Sequence, residues 1–317
     1  MRTLLLLAML PAVSCAGARD TWMGANVKES VSAPWGSAAA ARSMKQLADA
    51  GAGRALLVAF VWQDGVASNH PVLGEGSDPK RIGAGLRQMR RAGLEPVLKV
   101  HLWTPGHWAG EAQPQSPAIW FEHYGRALLQ LADVAEKERA AALVVGTELR
   151  GLEDAPQWIA LVKAVRERYR GPLLYVTDNL EQAERFPHWA LFDIIGASLY
   201  PSLPAEPQAR QQRMRESAAR LVALGQRWQR PVWAAEVGLR SSAGSLAAPW
   251  ESPEQREDGV DLALQRQVLS EWRDTLRHPG IDAMVVWCWY TDPRAGGPHD
   301  TDFTVQNKPA QEVLAGK

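Results

Sequence analysis

Glu148, in the segment LVVGTELRG, and Glu236, in PVWAAEVG, each close a short run rich in Val and Ala. Runs of that kind form strand interiors, where an unpaired charge costs several kcal/mol. The end of a barrel strand is the exception, because side chains there reach a solvent-accessible cleft. Taken singly, each glutamate reads equally well as an ion-paired strand-end residue. Together they form a candidate carboxylate pair, which is the equipment for breaking a glycosidic bond.

The elements that must position them alternate along almost the whole chain. Strand-like runs fall at 22–28, 54–62, 95–102, 141–148, 173–179, 192–200, 231–237 and 283–290. Between them lie amphipathic stretches at 38–50, 80–92, 118–138, 155–169, 207–228 and 255–277, with apolar residues such as Leu221, Leu224 and Trp228 at helical spacing. The connection 181–191 has room for only a short helix. Gly93, Gly171 and Gly280 follow helical stretches, where left-handed helix termini are expected. Eight strands alternating with helices predict an α/β chain folded as a single (β/α)8 TIM barrel. A doubly wound sheet fits less well, because Gly24-Ala25-Asn26-Val27 lacks the glycine spacing of a dinucleotide turn. With no linker or repeat, residues 19–317 read as one domain.

In such a barrel the active site lies at the carboxyl ends of the strands. Those ends carry Asn26 and Lys28, Trp62, Lys99 and His101, Thr147 and Glu148, Asp178 and Asn179, Tyr200, Glu236, and Trp287, Trp289 and Tyr290. This polar and aromatic ring is too dense for a barrel core, which favours branched aliphatics. Lys99 and His101 share a strand face and read as contacts to sugar hydroxyls or as supports behind them. A buried Lys99 needs a partner. Trp287 and Trp289 share a face at period two, so one or both are candidates for the floor under a sugar ring. Asn26, Lys28, Trp62, Thr147, Asn179 and Tyr200 complete the candidate substrate contacts. Asp300, Asp302 and Phe303 are placed to border the cleft. His101 and His107 belong to no metal-ligand pattern, so neither metal nor cofactor is expected.

Composition narrows the partners. Zero formal net charge and no Lys/Arg-rich run argue against a nucleic-acid binder. A phosphate-dependent barrel would carry a glycine-rich loop after its last two strands, where this chain has Glu236 and a Trp pair. The start reads as an export signal: Met1-Arg2 is followed by an apolar run, 4–10, too short to span a bilayer. Ala12-Val13-Ser14-Cys15 resembles a lipobox, with Cys15 as the lipid-bearing residue and a route to membrane attachment. Ordinary cleavage after Ala18 is the competing reading of signal segment 1–18. Either way Cys288 has no intrachain partner, and the fold must rest on its core. A periplasmic or outer-membrane lipoprotein, or a secreted protein, is expected, acting as a monomer.

Specific segments carry a resemblance. AFVWQ, LKVHLW, VVGTEL, SLYPSL, AAEVGLRS, VVWCWY and DFTVQNKPA, spread from Trp22 to Leu314, are similar to glycoside hydrolase family 113. That family belongs to the clan A retaining glycosidases, and its characterised members are β-1,4-mannanases. The resemblance implies Glu148 as acid/base at the end of the fourth strand and Glu236 as nucleophile at the end of the seventh. It implies a tyrosine, here Tyr200, that holds the nucleophile in line. The departure is Thr147, where most of clan A has an Asn contacting the sugar 2-hydroxyl. A β-linked polysaccharide, probed first as β-1,4-mannan, is the implied substrate. A non-catalytic carbohydrate-binding barrel that serves polysaccharide processing or export is the alternative.

Overall fold

The computed structural model describes residues 21–255 and 258–315. Eight parallel strands close on themselves: β1 (Trp22–Lys28), β2 (Arg54–Trp62), β4 (Glu95–Trp103), β5 (Leu143–Thr147), β6 (Leu173–Thr177), β7 (Ile194–Leu199), β8 (Val232–Val237) and β9 (Ala283–Tyr290). Pairing of β1 with both β2 and β9 leaves the barrel without an edge. The helices α1 (Ala38–Asp49), α2 (Pro79–Arg91), α3 (Pro117–Lys137), α4 (Gln157–Arg168), α5 (Leu180–Arg185), α6 (Pro207–Trp228) and α7 (Leu262–Leu276) fill the successive crossovers. A 3-10 segment, Pro309–Ala315, takes the place of an eighth helix. The expected single (β/α)8 barrel is therefore what the chain forms, including a short helix in the fifth connection.

Local chemistry explains the boundaries. Asp78 caps α2 by accepting from the Lys80 and Arg81 amides, with Pro79 at the first helical position. Gly93 takes φ +88° just beyond α2, as expected of a left-handed terminus. Gly171 serves a different purpose. A Cβ there would lie 2.2 Å from the Tyr169 hydroxyl, so the glycine permits close packing. The reading of 255–277 as one helix is too long: α7 starts only at Leu262, capped by Asp261. The two-residue strand β3 (Val72–Leu73), antiparallel to the end of β2, has no counterpart in the sequence reading.

Two apolar layers follow from strand alternation. Leu56, Val97, Val144, Leu174, Val176, Ile194, Trp233 and Val285 fill the barrel interior, while a larger cluster packs the strands against the helices. Trp22 meets Trp233 edge-on at 4.8 Å, and the Arg54 guanidinium lies 4.7 Å from the Trp22 ring. Aliphatic and indole packing thus seals the lower barrel, and polar groups gather at the carboxyl ends of the strands.

Candidate active site

Glu236 stands on β8, but plain alternation would not aim it into the cleft. Ala234 belongs to the outer apolar layer and Ala235 to the inner one. Between Ala197↔Ala234 and Ser198↔Glu236 the register slips by one residue. This bulge re-aims the following side chain, bringing Glu236 to the inner face beside its pairing partner Ser198. There the carboxylate is ion-paired with the Lys99 ammonium, and both side chains are buried. The Tyr200 hydroxyl donates to Glu236 Oε2 at 3.3 Å. Lys99 Nζ also donates to Asn26 Oδ1 at 2.9 Å, while Asn26 Nδ2 donates to the carbonyls of Ala235 and Val286. Asn26 is thus a bracket that fixes Lys99 to the walls of β8 and β9. All its polar atoms are engaged, and it is fully buried. Its expected contact with substrate is corrected accordingly.

Glu148 immediately follows β5. Its backbone sits at φ +55°, a left-handed conformation that disfavours a side chain. Its amide donates to the Val176 carbonyl at 2.7 Å, and the Leu149 amide donates to the Tyr175 hydroxyl at 3.0 Å. These bonds hold the turn that projects the carboxyl inward. Ser198 Oγ donates to Oε1 at 2.5 Å and Trp108 Nε1 to Oε2 at 2.6 Å. Burial, reinforced by the charge of Glu236, raises Glu148 to about 7, against the pull of those two hydrogen bonds. Ser198 joins the pair physically, because it contacts Glu148 and lies in register with Glu236. Both carboxylates therefore occupy one barrel mouth, one ion-paired and one able to hold a proton near neutral pH.

Other predicted residues divide into two groups. Lys28 lies within 5.2 Å of the Trp287 ring centroid and 4.7 Å of the Tyr290 ring centroid, so it faces the mouth. Trp287 lies 5.4 Å from Lys99 Nζ and 6.0 Å from the His101 ring. Burial pushes His101 down to about 4, with the Glu236 charge opposing. Its Nδ1 lies 2.9 Å from the Leu102 carbonyl, which can only accept, so the proton sits on Nδ1 and Nε2 is left as an acceptor. Trp62 and Trp103 pair in register at the rim, 6.1 Å apart and exposed.

Three assignments fail on geometry. Trp289 is fully buried in the outer layer, and its indole N–H donates to Ser43 Oγ of α1 at 2.8 Å. The register slips where Asn26↔Trp287 is followed by Val27↔Trp289, and this bulge turns Trp289 away from the Trp287 face. Asn179 caps α5, accepting from the Gln182 amide at 2.9 Å and donating to Asp178 at 2.7 Å. Thr147 is fully buried, and its hydroxyl donates to the Val100 carbonyl at 3.0 Å, leaving no donor for a sugar.

Trp108 and Ser198 were not among the sequence candidates. Trp108 lies in an irregular loop where periodicity carries no signal. Ser198 shares its strand face with Tyr200, and that spacing could have marked it. Asp302 does border the mouth, accepting from the Tyr290 hydroxyl at 2.8 Å. With Ser30, Ser32, Asp292 and Arg294 it lines a polar recess of about 520 Å³.

A family model described as Glycoside Hydrolase Family 113 matches residues 25–308. The chain belongs to that family. It is accordingly a glycoside hydrolase, and the non-catalytic alternative is set aside. The hydrolase superposes with a TM-score of 0.81 on a GH113 β-mannanase from Alicyclobacillus acidocaldarius in complex with ManMIm, at 22% identity over 93% of this chain and 95% of that one. A second GH113 β-1,4-mannanase gives 0.81 at 21% identity, over 93% and 96% of the two chains. A fungal β-1,4-galactanase gives 0.60 at 15% identity, over 93% and 99%. At such identities these likenesses establish the fold. A comparison with curated protein sequences found no match.

Proposed function

We propose that this family 113 hydrolase is a retaining β-1,4-mannanase in which Glu236 is the nucleophile and Glu148 the acid/base. The observation that carries the proposal is the unequal treatment of two carboxylates in one barrel mouth. Glu236 is ion-paired with Lys99 and held by Tyr200, whereas burial beside that charge keeps Glu148 protonated to about pH 7. Glu236 attacks the anomeric carbon while Glu148 gives its proton to the departing oxygen. Glu148 then takes a proton from water, whose oxygen displaces Glu236 from the same carbon. Trp287, edged by Lys28, Lys99 and His101, forms the floor beneath the reacting sugar. The mannanase names of the two structural neighbours support mannan as the substrate.

The reading includes export through residues 1–18 with lipid attachment at Cys15, a segment outside the described residues. Purified protein tests the chemistry when mannan, cellulose, xylan and short β-oligosaccharides are digested. Products are resolved by size, and their first-formed anomer is read by NMR. Cleavage of mannan with retention of the β-anomer is expected, and carboxyl groups about 5–5.5 Å apart go with it. An inverted product would rule out the double displacement, and cleavage confined to another polysaccharide would rule out the mannanase.

A further inference from the structure

Both oxygens of the Glu148 carboxyl receive donors, and they come from opposite sides. Ser198 Oγ, fully buried on β7, serves Oε1, and Trp108 Nε1, on the loop after β4, serves Oε2. The indole has a built seat. A Cβ on Gly110 would lie 2.1 Å from its six-membered ring, so only glycine lets the ring pack there. The Arg150 guanidinium lies 4.8 Å from its centroid and is ion-paired in turn with Asp178 of the next barrel strand end. A ring packed between Gly110 and Arg150 presents its N–H in one direction.

An indole N–H donates and never accepts. Its bond to Oε2 is charge-assisted when Glu148 is ionised and weaker once the carboxyl is neutral. Among the described residues Glu236 of β8, Lys99 of β4 and Tyr200 beyond β7 face this carboxyl, and Arg150 lies against the indole. We propose that Trp108 is a positioning residue for the acid/base, setting the rotation of the Glu148 carboxyl and stabilising the carboxylate that must accept a proton from water in the second displacement. This rests on the reading of Glu148 as acid/base. In that step Glu148 Oε gains the proton, the water oxygen bonds to the anomeric carbon, and the bond from that carbon to Glu236 breaks with its electron pair returning to the carboxylate.

Trp108→Phe keeps a ring over Arg150 and deletes only the donor. With glutamate carboxyls labelled with carbon-13 and the Glu148 resonance assigned by its loss in Glu148→Gln, the titration midpoint is expected to rise by about one pH unit. The alkaline limb of kcat/KM on a mannooligosaccharide should move with it. Gly110→Ala, which displaces the indole without altering it, should shift the midpoint the same way. A midpoint that is unchanged or lowered in both variants overturns the role of Trp108. The titration needs no turnover. A shifted midpoint in a protein whose Glu148→Gln variant hydrolyses normally would therefore overturn the acid/base reading, and with it the catalytic purpose of the clamp, while the hydrogen-bond effect stood.

Discussion

On the proposed assignment Glu236→Ala removes the group that forms the covalent intermediate, and turnover should vanish on every substrate, activated or not. Glu148→Ala removes the proposed proton donor, a kind of group that contributes about 10²–10⁴-fold on an unactivated glycoside. On an aryl mannoside with a good leaving group the first displacement should proceed nearly unaided, leaving the second to limit the rate. Azide, which needs no general base, should then restore turnover and yield a β-mannosyl azide. An inverted azide product from Glu148→Ala, with a retained azide product from Glu236→Ala, would exchange the two roles. The surroundings argue for the assignment as made. Glu236 has a cation in contact, whereas Glu148 receives only neutral donors and feels its neighbour's negative charge.

Bulges decide at the level of the strand which side chains reach the chemistry. Trp287 and Trp289 look equivalent by spacing, yet the slip on β9 sends one to the mouth and the other behind the sheet. Trp287→Ala should cost activity with little loss of stability. Trp289→Ala should instead cost about 3–5 kcal/mol in urea unfolding, with kcat/KM per folded molecule preserved. The opposite pattern would place the wrong tryptophan in the cleft. Behind the Glu148 turn, Tyr175 donates to Glu153 at 3.2 Å, and burial with the nearby Asp178 charge pushes Glu153 up to about 8. A carboxyl raised in the folded state binds a proton that the unfolded chain has already released. Its stabilising contribution is therefore present below its ordinary value of 4.5 and lost as pH rises through about 8. Melting temperature should decline from about pH 5 to about pH 9, and less steeply in Glu153→Gln. Equal slopes for the two proteins would remove Glu153 from the account.

For the whole molecule, packed side chains seal the barrel floor, and the candidate active site shares the opposite mouth with the rim pair Trp62 and Trp103. Among the described residues no helix is long and apolar enough to cross a membrane. The attachment proposed above is through lipid on Cys15, outside the described residues. A lipoprotein cysteine carries three acyl chains, beyond the two signals that stable anchoring requires. Wild-type protein should fractionate with membranes and enter a detergent phase, and Cys15→Ser should be released or remain unprocessed. A soluble periplasmic protein beginning at Arg19 would instead mark ordinary signal cleavage and end the lipoprotein proposal. The barrel would be unaffected.

Regular alternation was legible in the sequence because apolar periodicity reports burial one element at a time. Eight strands, their crossovers, and the two glutamates at strand ends could all be read that way. Lys99 could also be recognised as a cation in need of a partner, since a buried ammonium without one is too costly. The identity of that partner, Glu236, came only from closing the barrel, which brings β4 and β8 together across its mouth. Asn26, Thr147 and Asn179 have the right chemistry for sugar hydroxyls, but the fold uses their hydrogen bonds internally. Trp289 and Glu236 show the deeper reason. A single extra residue in a strand reverses every side chain beyond it, and such a slip is defined by the neighbouring strand, so local periodicity does not contain it. Trp108 completes the case, because a loop residue acquires its role only from what the folded chain sets beside it.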